Sequence, residues 1–144
     1  MTEAVLQTAE PPQISFRQGS PARAAGLGLW RMMWHIENMG RRPLTLSGAR
    51  FPHGRFKAAE QRFEPPIDLG PDERNEIETL IGCQEPPGAV VENAFVILTA
   101  IRLGTLWRIF GRLRITIDSH GQPAALTELI TVQRMGFSED FTLS

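Results

Sequence analysis

Thr105 to Asp118 reads TLWRIFGRLRITID, and the fold turns on whether this stretch is a helix or a strand. As a helix it is basic and amphipathic: Leu106, Ile109, Phe110, Leu113 and Ile117 share one face and Arg108 and Arg112 lie opposite, a pattern suited to membrane surfaces and nucleic acids. Extended, Trp107, Ile109, Leu113, Ile115 and Ile117 alternate inward. Two features favour the strand. A helix would hold Gly111 in its interior at about 1 kcal/mol relative to Ala, and RLRITI carries β-branched residues that suit a pleated surface. The preceding segment, Val90 to Arg102, is also rich in β-branched residues. It joins through Leu103-Gly104-Thr105, so the spacing predicts a bulged hairpin with a three-residue connection. Arg102 then faces Leu106, Phe95 faces Leu113, and Ile97 lies opposite Gly111, a large side chain against none.

Upstream, strand signals recur at short intervals. Ile14 and Phe16 alternate in Gln13 to Arg17, and a small-residue loop follows through Gly19, Pro21 and Gly26. In Leu29 to Glu37 every second residue is large and apolar: Trp30, Met32, Trp34, Ile36. Asn38 to Pro43 supplies turn chemistry before a strand from Leu44 to Phe51. A weaker strand is expected near Arg55 to Phe63, then Ile67 to Leu69 leads through Gly70-Pro-Asp-Glu73 into Asn75 to Cys83. Ala125 to Arg134 supplies the last. Glu-Pro-Pro occurs at residues 10–12, 64–66 and 85–87 with no common period, and reads as punctuation, because paired prolines remove backbone donors and end ladders.

Seven to eight strands with frequent turns and no long helix predict an all-β, antiparallel sandwich. The domain spans residues 13–135, between a flexible arm at 1–12 and a tail at 136–144 bearing Phe137, Phe141 and Leu143. The run WHIENMGRRPLTL at 34–46, followed by LGPDE at 69–73 before Ile77, resembles bacterial immunoglobulin-like modules, in which an Asn-x-Gly turn precedes an extended Pro-Leu segment. The likeness covers residues 28 to 118 and lacks the paired cysteines of antibody-type domains. It implies an interaction scaffold and carries over no binding residue.

With 144 residues, 42% of them hydrophobic and 22% charged, the chain suits one domain with a real core. A net charge of −1 gives no overall positive field, so any basic behaviour is local. Fourteen of the fifteen cations are Arg, Lys57 being the exception. Cys83 is the single cysteine, so packing rather than an internal disulfide holds the fold. The opening residues have neither a basic leader nor an apolar segment, and Phe95 to Ile101 is too short to span a bilayer; a cytoplasmic protein without membrane association is expected.

Signatures of chemistry are missing. No nucleophile elbow, phosphate loop or His-Glu-x-x-His occurs. His35, His53 and His120 offer at most two converging metal ligands, in His35-x-Glu37. Cys83 reads as a small buried hydrophobe, and Asp72, Glu73, Glu76 and Glu78 as solvated turn and strand face. No catalytic residue, metal or cofactor is expected, and an enzyme whose groups converge from distant loops is one alternative reading. In the register above, one sheet face carries Val96 and Leu98 with Arg108, Phe110, Arg112 and Arg114. If Arg114 meets Glu128, Ile130 and Val132 join them. An apolar patch rimmed by arginines suits a protein partner or a second copy of the chain. Nucleic acid is the rival ligand, through Arg102, Arg108, Arg112, Arg114 and Arg134, but Glu92 and Glu128 interrupt that stripe.

Overall fold

The computed structural model describes residues 10–135, which run as nine strands: β1 (Ile14–Gln18), β2 (Arg23–Gly26), β3 (Leu29–Asn38), β4 (Leu44–His53), β5 (Phe56–Leu69), β6 (Arg74–Gly82), β7 (Val90–Arg102), β8 (Thr105–Ile117) and β9 (Pro123–Arg134). All pairings are antiparallel, in the order β1-β3-β6-β5-β4-β7-β8-β9, with β2 taking up the edge of β3 where β1 ends. The stretch TLWRIFGRLRITID is therefore a strand. Instead of seven to eight strands in two separate layers, nine strands form one sheet that curls until β9 meets β1, nearly closing a barrel. Right-handed twist accumulated over long strands brings the sheet's ends together, and closure shields edges that would otherwise recruit other chains. Among the described residues no helix is long and apolar enough to cross a membrane. The tail aromatics Phe137 and Phe141, with Leu143, lie outside the described residues, as does most of the expected N-terminal arm.

Alternation fills the interior. Phe16, Met32, Trp34, Ile36, Leu46, Phe51, Phe56, Leu98 and Ile109 are all essentially inaccessible to solvent. Trp34 is the hub: Phe16 stacks on it at 4.8 Å, Phe51 leans in at 5.4 Å and Phe56 meets it edge-on at 6.4 Å. Its indole N–H donates to Thr79 Oγ1 at 2.8 Å, so the one polar atom of the ring is satisfied without water.

Two seams remain where the sheet does not zip. At the first, side chains bridge β1 and β9, where Thr127 Oγ1 donates to Phe16 O at 2.6 Å and Ala125 N–H donates to Gln18 Oε1 at 2.7 Å, and just beyond these strands Gln122 Nε2 donates to Ala22 O. At the second, β5 and β6 share a single pair, Lys57 with Gly82.

Several local expectations are corrected. The loop expected from Gly19 to Gly26 contains β2, whose Arg-Ala-Ala-Gly sequence has no strand signal and pairs because β3 outruns β1. The weak strand and the Ile67 to Leu69 fragment are one strand, β5, running through Glu64-Pro65-Pro66 with a cis bond at Glu64-Pro65. Those prolines do not end the strand. They sit where the β4 ladder skips from Leu46–Ile67 to Gly48–Arg62, so no ladder bond needs the missing donors.

The β7–β8 hairpin is tighter than expected. Arg102 pairs with Thr105, leaving the two-residue loop Leu103-Gly104 with φ of 50° and 76°. Positive φ at both loop positions is type I′ geometry, whose twist matches the flanking strands. The register moves by one: Val96, not Ile97, opposes Gly111, and Ala94, not Phe95, opposes Leu113. A one-residue slip inverts every side chain of a strand, and this one redraws the surface.

Candidate interaction surface

The outer face of β7, β8 and β9 is where the expected binding residues were placed, and half of them belong to it. Arg108, Phe110, Arg112 and Arg114 point outward from β8 and are partly exposed. Val96 and Leu98 do not: they are buried in the core, opposite Gly111 and Ile109. Ile130 and Val132 also face inward, because β9 pairs them with Gly111 and Ile109, and both pack against the core. The expected Arg114–Glu128 pair is replaced by Arg114–Leu126, since Glu128 is the extra residue of a bulge between Leu129 and Thr127.

The register shifts of β7 and β9, which each remove two apolar residues from the outer face, supply others. Ile97 opposes Phe110, Phe95 and Leu129 flank Arg112, and Leu126 opposes Arg114. Leu126 is 62% exposed and Leu129 48%, while Phe95 and Phe110 are half-buried. Ile101, 41% exposed, pairs with Leu106 toward the hairpin tip. The outer face around Phe110 therefore carries apolar residues other than the four expected there. At its centre Ile97 is buried, at 8% exposure, while Leu126 and Leu129 stay open.

Charge on this face is mixed. Arg112 Nε lies 3.5 Å from Glu128 Oε1, and Arg114 Nη1 lies 3.2 Å from Glu92 Oε1. Asn93, at φ 59°, makes the β7 bulge beside Glu92. The acids that break the basic stripe in sequence thus pair with two of its arginines in space. Arg102 leaves the stripe altogether: it points inward, 5% exposed, with its guanidinium carbon 5.4 Å from the Trp107 ring centre. Burial pushes its pKa down; Glu10 opposes that and Arg42 reinforces it. Nothing in the sequence marked Arg102 as inward, because an arginine on an alternating strand reads as the polar face.

The remaining candidates stay apart. His35 meets Glu76 at 3.4 Å across the β3–β6 ladder rather than Glu37, its neighbour in sequence. His53 accepts a hydrogen bond from the Arg55 N–H at 3.1 Å within the β4–β5 turn, and His120 sits in the β8–β9 turn. Among the described residues no three His, Cys, Asp or Glu side chains gather as metal ligands would. Cys83 is buried, and burial pushes its thiol pKa up, with Glu85 adding to the rise. Glu85 itself is held below the usual carboxylate range by its hydrogen bond from Arg55, whose Nη2 stands 2.6 Å away.

The chain matches no protein-family model and no curated protein sequence.

Proposed function

We propose that the chain is a non-catalytic assembly module that binds protein through the outer face of β7, β8 and β9. The observation that carries this reading is the exposure of Leu126 and Leu129 beside half-buried Phe110, on one face of the sheet. Apolar surface of this kind on a strand-built face is characteristic of interaction sites. A second copy of the same face is the occupant that fits best. Its rim carries both signs, Arg112 and Arg114 beside Glu128 and Glu92, so it is self-complementary under a two-fold axis.

The strand grouping supports an immunoglobulin-like ancestry for this scaffold. Opened at its two seams, the sheet divides into β1, β2, β3 and β6 on one side and β5, β4, β7, β8 and β9 on the other. A seven-stranded immunoglobulin sandwich divides four and three, so this grouping resembles it with two strands added to the larger side, and the core tryptophan here stands on β3 rather than on the following strand.

The test is sedimentation of the wild type against Phe110→Asp and Leu129→Asp. The wild type associates at micromolar concentration, and each variant sediments as a monomer with an unchanged circular dichroism spectrum. A monomeric wild type, or variants that assemble normally, overturns the reading.

A further inference from the structure

We propose that the open seam between β5 and β6 is a strand-binding groove whose ligand is an extended segment of a partner protein, with apolar side chains facing inward and acidic ones outward. The groove is separate from the outer face of β7 to β9 and does not depend on that face's role.

The backbone carries the first part of the argument. Cys83 N–H donates to Gly28 O at 2.9 Å, and Asn38 N–H to Glu73 O at 3.0 Å, which sets the phase of the β3–β6 ladder. Odd-numbered residues of β6 bond β3, and even-numbered ones turn their N–H and C=O groups away from it. Of the latter, Arg74 lies at the start of β6 away from the cleft, Gly82 is paired with Lys57, and the Glu76 N–H is taken by Asn75 Oδ1 at 2.7 Å. Leu80 and Glu78 are left with both backbone groups directed into the seam and no β5 residue in register with them. A sheet edge with free donors and acceptors is the surface on which a peptide adds as a strand.

The seam is open for a local reason. Between the pairs Phe51–Ala58 and Ala49–Gln61, β5 advances three residues while β4 advances two. The extra residue bends β5 away from β6 just past the Lys57–Gly82 pair. The result is a cleft of about 610 Å³, with Ala49, Phe51 and Thr79 among the residues lining it. By contrast, the β1–β9 seam is bridged by two side-chain hydrogen bonds, with a third just beyond the strands, and offers no such edge.

The lining selects the ligand. Phe51 and Ala49 are core residues, so the inward side chains of an added strand meet apolar surface. Outward, Arg31 and Lys57 flank the cleft with no acid within ion-pair distance among the described residues, while Glu78 is engaged by Arg23 at 3.2 Å. The mouth is therefore positive, and acidic side chains complement it. Because both walls are strands, the occupant needs both of its own edges free, as a single extended segment has. A strand of a second folded copy already has a neighbour on at least one side.

A fluorescein-labelled, end-blocked hexapeptide of alternating valine and glutamate is the probe, with a version N-methylated at alternate amides as control. In the free protein, hydrogen exchange at the Leu80 and Glu78 amides is fast while Thr79 and Ile81 are protected. Adding the probe slows the first two about tenfold or more. Anisotropy shows saturable binding that N-methylation abolishes, that Arg31→Glu with Lys57→Glu weakens about tenfold, and that Phe110→Asp leaves unchanged. Leu80 and Glu78 amides already protected without peptide, no binding at millimolar probe, or equal binding of the methylated peptide each overturns the proposal.

Discussion

Gly111 and Val96 face each other across the β8–β7 ladder so closely that a β-carbon on residue 111 would stand 2.8 Å from Val96 Cγ1. Valine is stiff at χ1 and fully buried here, so it has no room to yield. Gly111→Ala should destabilise the fold by about 1–3 kcal/mol through overpacking. Val96→Ala should also destabilise it, by leaving a cavity, but the double variant should lose less than the sum of the two. Urea unfolding of the four proteins checks the coupling; strict additivity would mean that the two sites do not touch.

Leu103 occupies the left-handed region at φ 50° with its side chain more than half exposed. A branched residue pays about 1–2 kcal/mol there, and its side chain buries little in return. Leu103→Asn creates the Asn-Gly pair that type I′ loops favour and should raise stability by about 1 kcal/mol. Thermal melting reads the effect, and a fall in melting temperature would contradict the turn geometry.

Asp118 organises the turn between β8 and β9. Its Oδ1 accepts the backbone N–H groups of Gln122 and His120, each at 2.8 Å. The Gln122 bond, aided by that of His120, holds the carboxyl below the ordinary aspartate value of 3.8. A depressed folded value means that the carboxylate stabilises the fold fully above the unfolded pKa, and that this contribution disappears as pH falls through the folded one. Asp118→Ala should therefore melt below the wild type at pH 7, with the gap closing under strong acid. Asp118→Asn keeps the acceptor oxygen and should show a weaker pH dependence than the wild type.

Arg112 and Arg114 are each beside an acid, so two arginines of the basic stripe are paired. The protein should elute from heparin at low salt, with a shallow dependence of single-stranded RNA binding on ionic strength. Glu92→Gln with Glu128→Gln should shift elution to higher salt. Firm retention of the wild type would favour nucleic acid as the ligand.

The alternation of Trp30 to Ile36, the cost of Gly111 in a helix and the β-branched run at Arg112 to Ile117 sufficed to make this an antiparallel all-β chain, and to place Trp34 and Cys83 inside. These are local properties: side-chain period and propensity act within a strand and need no knowledge of its neighbours. Which face Val96, Leu98, Ile130 and Val132 occupy was decided only in the tertiary structure. Two-residue turn geometry at Leu103 and single-residue bulges at Asn93 and Glu128 set the register, and none of these leaves a compositional mark. Closure of the sheet, the burial of Arg102 and the open seam beside Leu80 likewise arise from strands distant in sequence, because hydrogen-bond partners across a sheet are chosen by the whole barrel and not by either strand alone.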